Sequence, residues 1–432
     1  MSWNIAFDKI MEIKKEYLKY TRYNDTQEIY NPEKYNSCIE KWLNEMELSI
    51  DDEIINKVRE YKNIIEPLKL NQYKDLILLK YNDLYIFANG YPDEFWNSYD
   101  GLYRETRSLV IDLKNEKMVL TPFRKFRNMN ESEETSYENV INRIKNAKIV
   151  EFSNKLDGSM QSARYYNDEI VMSGSQALDP EKSYRLKDGY NMLTKNHKKM
   201  IIENPDYTFI FEHIAKNDAH VVMYDHEGMY LIGMRNVNTG EELPYKEILN
   251  YAKKYDINTT TIYDIDMDTL LKEAKTAKSN EKEGWVLNID GWKVKIKCDD
   301  YIQMHRIMSS LSSPNVIIQS IGDGTLDDLL GKLPSAHHQR VLEIANNIFK
   351  YAEEKEKDIN KWFDAAPKKD KKEFMLWVDK NVPKDINGYV KSKYLKKEYN
   401  LIKIRPEQYI KYNDVLKYLD KGKYFQGNIQ EL

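Results

Sequence analysis

Cysteine is nearly absent from this 432-residue sequence: Cys38 and Cys298 stand alone, too few for a disulfide framework and not spaced as a metal knuckle. Disulfide-stapled scaffolds are thereby excluded, and a reducing, cytoplasmic setting is expected. Long apolar runs are missing as well. None approaches the roughly 20 residues needed to cross a bilayer, so no membrane partner is expected. The stretch from Met1 to Tyr23 mixes charges with Ile5, Phe7, Ile10, Ile13 and Tyr17 at helical spacing; it lacks the apolar heart of a signal peptide and reads as an amphipathic helix. Nor is there a marked excess of one charge. Sixty-six basic residues face 70 acidic ones, net −4, with 41% hydrophobic content, which describes a globular chain and names no partner.

What the sequence does contain is length for two or three domains and a change of pattern along it. The first 75 or so residues read as helical, including Ile54 to Leu70. Short apolar runs at Leu84–Phe87, Ser108–Ile111 and Ile149–Phe152 then predict strands, as do Glu169–Met172, Thr208–Glu212 and Met229–Met234. Helices are expected over Tyr245–Tyr255 and Met267–Ala277. From about Ser309 the pattern is helical, with Val341, Ile344, Ala345 and Ile348 on one stripe. No internal repeat is visible. A domain boundary is expected near residue 310.

Chemistry is concentrated in three places. Lys155-Leu156-Asp157-Gly158-Ser159 puts a lysine between an apolar strand and a Gly-Ser turn, where partial burial and neighbouring lysines would favour the neutral, nucleophilic amine. Glu212 ends the strand Tyr207-Thr208-Phe209-Ile210-Phe211, pointing away from its aromatic face. Asp290-Gly291 marks a hairpin whose second arm, Trp292 to Lys297, throws Lys293, Lys295 and Lys297 onto one face. A two-residue turn would put Glu283 on the opposite face. A three-residue turn, Ile289-Asp290-Gly291, would set Glu283 across from Lys297, and this register is preferred because it joins a carboxylate to the lysine row. Any one feature alone fits a solvated surface. Together they order a nucleophile, carboxylates able to hold a metal, and cations for a triphosphate.

In sequence order, Lys155-Leu156-Asp157-Gly158-Ser159, Phe211-Glu212, Glu283-Gly284-Trp285-Val286 and Val294-Lys295-Ile296-Lys297 resemble the motifs of covalent nucleotidyltransferases, the ligases and mRNA capping enzymes. Glu105-Thr106-Arg107 and Phe123-Arg124-Lys125-Phe126-Arg127-Asn128 to Glu131 narrow the resemblance to phage tRNA-repair RNA ligases, the RNA ligase 1 group. Further similar blocks are Met234-Arg235-Asn236 with Thr239-Gly240, Asp300 to His305, Ser309-Ser310-Leu311, and Asp323-Gly324 with Asp327-Asp328. The resemblance covers about residues 85–330.

The resemblance implies an α+β fold: a nucleotidyltransferase (ATP-grasp-like ligase) domain of antiparallel sheets over residues 1–310, with a helical segment at 1–75, then an all-helical RNA-specificity domain over 311–432. It implies ATP-dependent RNA ligation, with Lys155 forming lysyl-AMP. Arg107, Lys125, Lys295 and Lys297 would contact ATP phosphates, together with a tyrosine for which Tyr91 is preferred and Tyr85 is the alternative. Glu212 and Glu283 would serve the ribose or hydrated Mg2+, and Asp327 and Asp328 match a second acidic pair associated with metal. The implied partner is RNA, in particular tRNA broken in the anticodon loop, with an end-healing kinase/phosphatase acting upstream. One departure is Ser173-Gly174-Ser175, where the group carries a basic residue before Gly-Ser; one phosphate contact would then be missing, or supplied elsewhere by Arg164 or Lys182. From Ala366 to Leu432, 16 basic residues outnumber nine acidic ones, and Tyr389, Tyr394, Tyr399, Tyr409 and Tyr412 lie among them, a composition suited to phosphate contact and base stacking. An mRNA guanylyltransferase or DNA ligase is disfavoured because no OB-type strand set follows Lys297. A catalytically dead RNA-binding module is disfavoured by the intact motif residues.

Overall fold

The computed structural model describes residues 2–21, 37–89, 93–216, 218, 220–310, 313–331, 333 and 335–419. The chain divides into two compact units, Met1–Asp299 and Asp300–Leu432. No helix among the described residues is long and apolar enough to cross a membrane.

The first unit holds three four-stranded antiparallel sheets. In the first, β1 (Leu68–Tyr73), β2 (Leu76–Tyr81), β3 (Arg107–Asp112) and β4 (Lys117–Leu120) lie side by side in sequence order. One face of this sheet is covered by the N-terminal helices Ile5–Thr21, Cys38–Met46 and Asp52–Ile65, whose buried Ile10, Ile13, Leu43 and Ile64 join Ile77, Leu79, Leu109 and Ile111 in one core. These N-terminal helices therefore support β2 and β3 from beneath. Two expectations fail here. Leu68 to Leu70 is strand rather than helix, and Leu84–Phe87 lies within a short helix, Asp83–Ala88, whose Leu84 amide donates to the Asn82 side chain at 3.2 Å. A four-residue apolar run does not separate strand from buried helix, and the Asn82 cap decides the matter.

The second sheet runs β10 (Ile262–Tyr263), β5 (Val150–Lys155), β11 (Gly284–Ile289), β12 (Trp292–Lys297). The third runs β7 (Glu169–Ser173), β6 (Ser159–Tyr166), β8 (Tyr207–Ile214), β9 (Gly228–Asn236). Phe209 and Phe211 of β8 pack against helices Lys195–Glu203 and Tyr245–Tyr255, through Met200, Ile201 and Ile248, which leaves Glu212 for the other face.

The hairpin has a different turn from the one preferred above. Ile289 pairs with Trp292, so Asp290 and Gly291 form a two-residue turn, both at positive φ (49° and 89°). Gly284, not Glu283, then faces Lys297, and on its other side Gly284 faces Lys155 of β5. Glu283 nevertheless reaches both lysines, because the chain bends at Gly284, where φ is 150° and a Cβ would meet the Ile296 carbonyl oxygen at 2.0 Å.

The second unit is helical, apart from a two-stranded ribbon, Lys403–Arg405 with Gln408–Tyr409. Helix Asp299–Ser310 begins at the division between the units, and a 31-residue helix, Ser335–Ala365, joins two apolar cores within the second. Both contain the tyrosines singled out above. Tyr394 stacks on Phe374 at 4.0 Å, Tyr389 lies against Tyr399, the Tyr399 hydroxyl donates to Glu356, and Tyr409 donates to Asp323. Those rings are thus engaged within the unit rather than displayed for base stacking.

Gly284→Ala is expected to cost more than 2 kcal/mol, because it adds a steric clash with backbone to the roughly 1–3 kcal/mol of a strained dihedral. Gly291→Ala, at a position with nothing within 4 Å, should cost only the dihedral component. Chemical denaturation of both variants checks the order.

Candidate active site

One face of the second sheet carries Lys155, Lys295 and Lys297. In β5, Glu151, Ser153 and Lys155 share that face; in β11, Gly284, Val286 and Asn288; in β12, Lys293, Lys295 and Lys297. The opposite face carries Phe152, Trp285, Leu287, Val294 and Ile296, all buried, and this fixes the lysines' direction.

The lysine row splits into two regions. Lys293 is buried and ion-paired to Glu242, beside Asn288, which donates to Glu151 at 2.8 Å. Glu151 in turn accepts from the amides of Tyr245 and Lys246 at the start of a helix. That end of the face is structural. At the other end, the Glu283 carboxylate is shared: Oε2 lies 2.6 Å from Lys155 Nζ and Oε1 2.9 Å from Lys297 Nζ. Burial pushes the Glu283 carboxyl up, but the two ammonium groups outweigh it and hold the carboxyl below its ordinary value.

Lys155 departs from expectation. Burial does oppose its charge, yet Glu283, Glu212 and Asp157 prevail and raise its pKa, so the ammonium form is stabilised. The ionisable groups that act most strongly on this lysine are acids. Glu212 accepts from the Gly158 amide at 3.1 Å, and burial together with the nearby Glu283 and Asp157 pushes its pKa up to about 7, against the pull of Lys155. A Cβ on Gly158 would meet the His213 carbonyl oxygen at 2.5 Å, so glycine is what lets the motif turn lie against β8.

The remaining cations come from the first sheet and from the segment after β4. That segment runs beside β12: the Met129 amide donates to the Lys295 carbonyl at 2.8 Å, and the Lys295 amide to the Arg127 carbonyl at 2.9 Å. Lys125 and Lys295 are thereby brought together. Glu131 holds the turn, accepting from both the backbone and side-chain amides of Asn128. Burial, Lys125, Arg107 and Lys155 drive the pKa of Lys295 well below its usual value, and burial with Arg107 lowers that of Lys125 to about 8. Arg107 Nη1 is buried without a hydrogen-bond partner. Neither Arg107 nor Lys295 has a carboxylate ion pair among the described residues. Such a cluster of like charges, short of acceptors, has the electrostatics of an anion site.

Of the residues expected at the site, Lys155, Glu212, Glu283, Lys295, Lys297, Arg107 and Lys125 are brought into this one electrostatic network. Tyr91 lies outside the described residues. Tyr85 turns towards Glu66, 3.5 Å from its carboxylate, whereas Tyr81, which the sequence reading passed over, lies 5.0 Å from Lys125 Nζ. Asp327 and Asp328 occupy the first turn of helix Leu326–Gly331 in the second unit, and no trio of His, Cys, Asp or Glu suited to a metal occurs among the described residues. Arg164 is committed to the carbonyls of Pro205, Met118 and Val119, and Lys182, 80% exposed, pairs with Asp179; neither joins the cluster.

Sequence reasoning also missed a supporting network. Asp218 receives a bidentate pair from Arg185 at 2.6 and 2.7 Å and a hydroxyl from Ser159 at 3.2 Å. His220 sits between Asp218 (3.5 Å) and Asp157 (3.7 Å); burial depresses its pKa, but those acids and Glu212 outweigh this and raise it. Asp218 and His220 fall in an irregular segment, where no periodicity marks them. Glu105 and Arg235, visible in sequence only as members of motif blocks, form a buried ion pair at 2.9 Å joining the short helix Leu102–Glu105, just before β3, to β9 of the third sheet.

Comparison with known proteins bears directly on this segment. The sequence model described as RNA ligase matches residues 105–301, which include every one of these catalytic candidates. Residues 105–301 are thus similar to the RNA ligase family. A candidate RNA ligase of Thermovibrio ammonificans is 30% identical over 150 residues, covering 33% of this chain and 36% of that protein. A candidate bifunctional polynucleotide kinase/RNA ligase of Autographa californica nuclear polyhedrosis virus is 25% identical over 255 residues, covering 53% and 35%. The chain thus spans about a third of the length of these curated relatives. Among solved structures, an archaeal ATP-dependent RNA ligase overlaps at TM-score 0.38 and 14% identity, over 58% of this chain and 70% of that one. A Naegleria gruberi RNA ligase mutant with ATP and Mn overlaps at TM-score 0.31 and 16% identity, over 39% and 55%. The matched segment also contains the Glu105–Arg235 pair and the Asp218–His220 network.

The raised pKa of Glu212 has a consequence for stability. The protonated carboxyl favours the folded state, an advantage present in full below the unfolded value near 4.5 and lost as pH rises through about 7. Relative to Glu212→Gln, the native chain is therefore expected to lose melting temperature between pH 5 and pH 8. A native chain that gains on the variant over that range would contradict the assignment.

Proposed function

We propose that this chain is an ATP-dependent RNA ligase that joins a 5′-phosphate to a 3′-hydroxyl. The single observation that carries the reading is Glu283 bridging Lys155 and Lys297, beside the cluster of Arg107, Lys125 and Lys295, inside the RNA ligase segment. In the first step Lys155 Nζ attacks the α-phosphorus of ATP; a P–N bond forms, the bond to the bridging oxygen breaks, and pyrophosphate leaves with its electron pair. A 5′-phosphate oxygen of RNA then displaces Lys155, and finally the RNA 3′-hydroxyl displaces AMP.

The side chains divide this work by charge. Arg107, Lys125, Lys295 and Lys297 offset the phosphate oxygens, Arg as a fork and Lys as a point charge. Lys155 must lose a proton before it attacks. Glu283 touches that ammonium but is a weak base in this setting; Glu212, with a pKa near 7, is better matched to hold the proton near neutral pH. Glu212 and Glu283, two buried hard-oxygen ligands flanking Lys155, also fit Mg2+, which keeps several of its waters and needs few protein ligands. When bound there it supplies positive charge against both the carboxylates and the α-phosphate. Asp327 and Asp328 are read as the start of a helix rather than as ligands.

The RNA reading extends to the second unit, where the +7 balance of residues 366–432 favours a polyanion. We assign it the recognition of tRNA broken in the anticodon loop. The viral kinase/ligase relative makes an end-healing activity acting beforehand a natural companion.

With ATP and Mg2+, the purified chain should seal a tRNA stem-loop nicked in its loop and bearing 5′-phosphate and 3′-hydroxyl ends. Lys295→Ala should slow sealing about 100-fold or more, the usual loss for one preorganised charge stabiliser. Sealing that requires GTP instead would favour a guanylyltransferase-type enzyme, and tight binding of the nicked RNA without sealing would favour a binding module.

A further inference from the structure

Lys80 is out of place by every local rule. It sits in β2 among Leu76, Ile77, Leu78 and Leu79, and its side chain is 7% exposed. A buried ammonium is costly unless it is well paired. Its carboxylate partner is Asp83, at 3.4 Å and itself 58% exposed, which makes a weak pair. Its other companions are cations and aromatic rings. Arg107 is its direct cross-strand partner on β3, and the Tyr81 ring underlies both Lys80 (3.2 Å) and Lys125 (5.0 Å). Arg107 and Lys295 both lie over Phe126.

The cations have an order. Lys295 shares a sheet face with Lys155, the Phe126 ring lies under both Lys295 and Arg107, and Arg107 pairs across the strands with Lys80, so Lys80 stands at the end of the cluster away from the nucleophile. Asp83 and Glu131 are the acids acting on Lys80, Lys125 and Lys295, beside the more distant cation Arg127. Four basic side chains gathered on the Tyr81 and Phe126 rings, with the buried Arg107 Nη1 unpartnered, make a site suited to an anion. In phosphoryl transfer the leaving group departs opposite the nucleophile.

We propose that Lys80, with Arg107, binds the pyrophosphate portion of the nucleotide, the two phosphates that leave when Lys155 is adenylylated. This deepens the ligase reading and rests on it for the identity of the nucleotide. Two features support the assignment: the site lies at the correct end of the row, and burial combined with Arg107 and Lys125 lowers the Lys80 pKa to about 7, so that an arriving anion restores a full charge.

The test is calorimetric binding of inorganic pyrophosphate and, separately, of AMP to the full chain, for the native protein, Lys80→Met and Lys80→Arg. Lys80→Met should weaken pyrophosphate about tenfold or more, as loss of a charge-assisted contact does, and AMP less than threefold. Lys80→Arg should recover most of the difference. The proposal is overturned if native protein does not bind pyrophosphate, if Lys80→Met binds it within twofold of native, or if both ligands weaken equally. Adduct formation with ATP is scored independently. A chain that forms the adduct while Lys80→Met leaves pyrophosphate binding unchanged keeps the ligase reading and loses this one; Lys80-dependent pyrophosphate binding without an adduct does the reverse.

Discussion

The carboxylate of Glu283, held between Lys155 and Lys297, is the contact on which the site depends. It spans three strands, since Lys155 ends β5, Glu283 precedes β11 and Lys297 ends β12. A charge this deeply buried persists only where it is paired on both oxygens, and here it is. The pairing is possible because Gly284 has no side chain and adopts a dihedral that other residues resist. One glycine thus decides where the nucleophile candidate, its carboxylate and a second lysine meet.

Around that contact the protein separates charges by sign. Acids gather on one side of Lys155, with Glu212, Asp157, Asp218 and the histidine between the last two; cations gather on the other, from Lys295 through Lys125 and Arg107 to Lys80. Both are anchored in apolar sheets, the first supported by the N-terminal helices and the third by helices packed on Phe209 and Phe211. The N-terminal helices, which the motifs left without a role, therefore bear on the site by fixing β2 and β3.

Much of this was legible in the sequence, for identifiable reasons. Alternation along Trp292–Lys297 correctly put the three lysines on one face, and the aromatic alternation before Glu212 correctly aimed it away from the core. The turn length was misjudged because sequence periodicity assumes straight strands, and Gly284 bends this one. The protonation preference of Lys155 was misjudged because nearby lysines in sequence suggested like-charge repulsion, while the fold places Glu283, Glu212 and Asp157 closer. Lys80 and His220 were invisible: one is a single lysine in an apolar run, the other lies in an irregular segment, and neither declares itself by spacing. In the second unit composition did not show that the tyrosines among the basic residues are partly buried against its cores.

The central claim is that Lys155 becomes covalently nucleotidylated. Intact mass of the chain after incubation with ATP and Mg2+, alongside Lys155→Ala treated identically and native protein first stripped with pyrophosphate, tests it directly. The account predicts a gain of one AMP in the native chain, reversed by pyrophosphate and absent from Lys155→Ala. No gain in the stripped native protein, or an equal gain in Lys155→Ala, would contradict it.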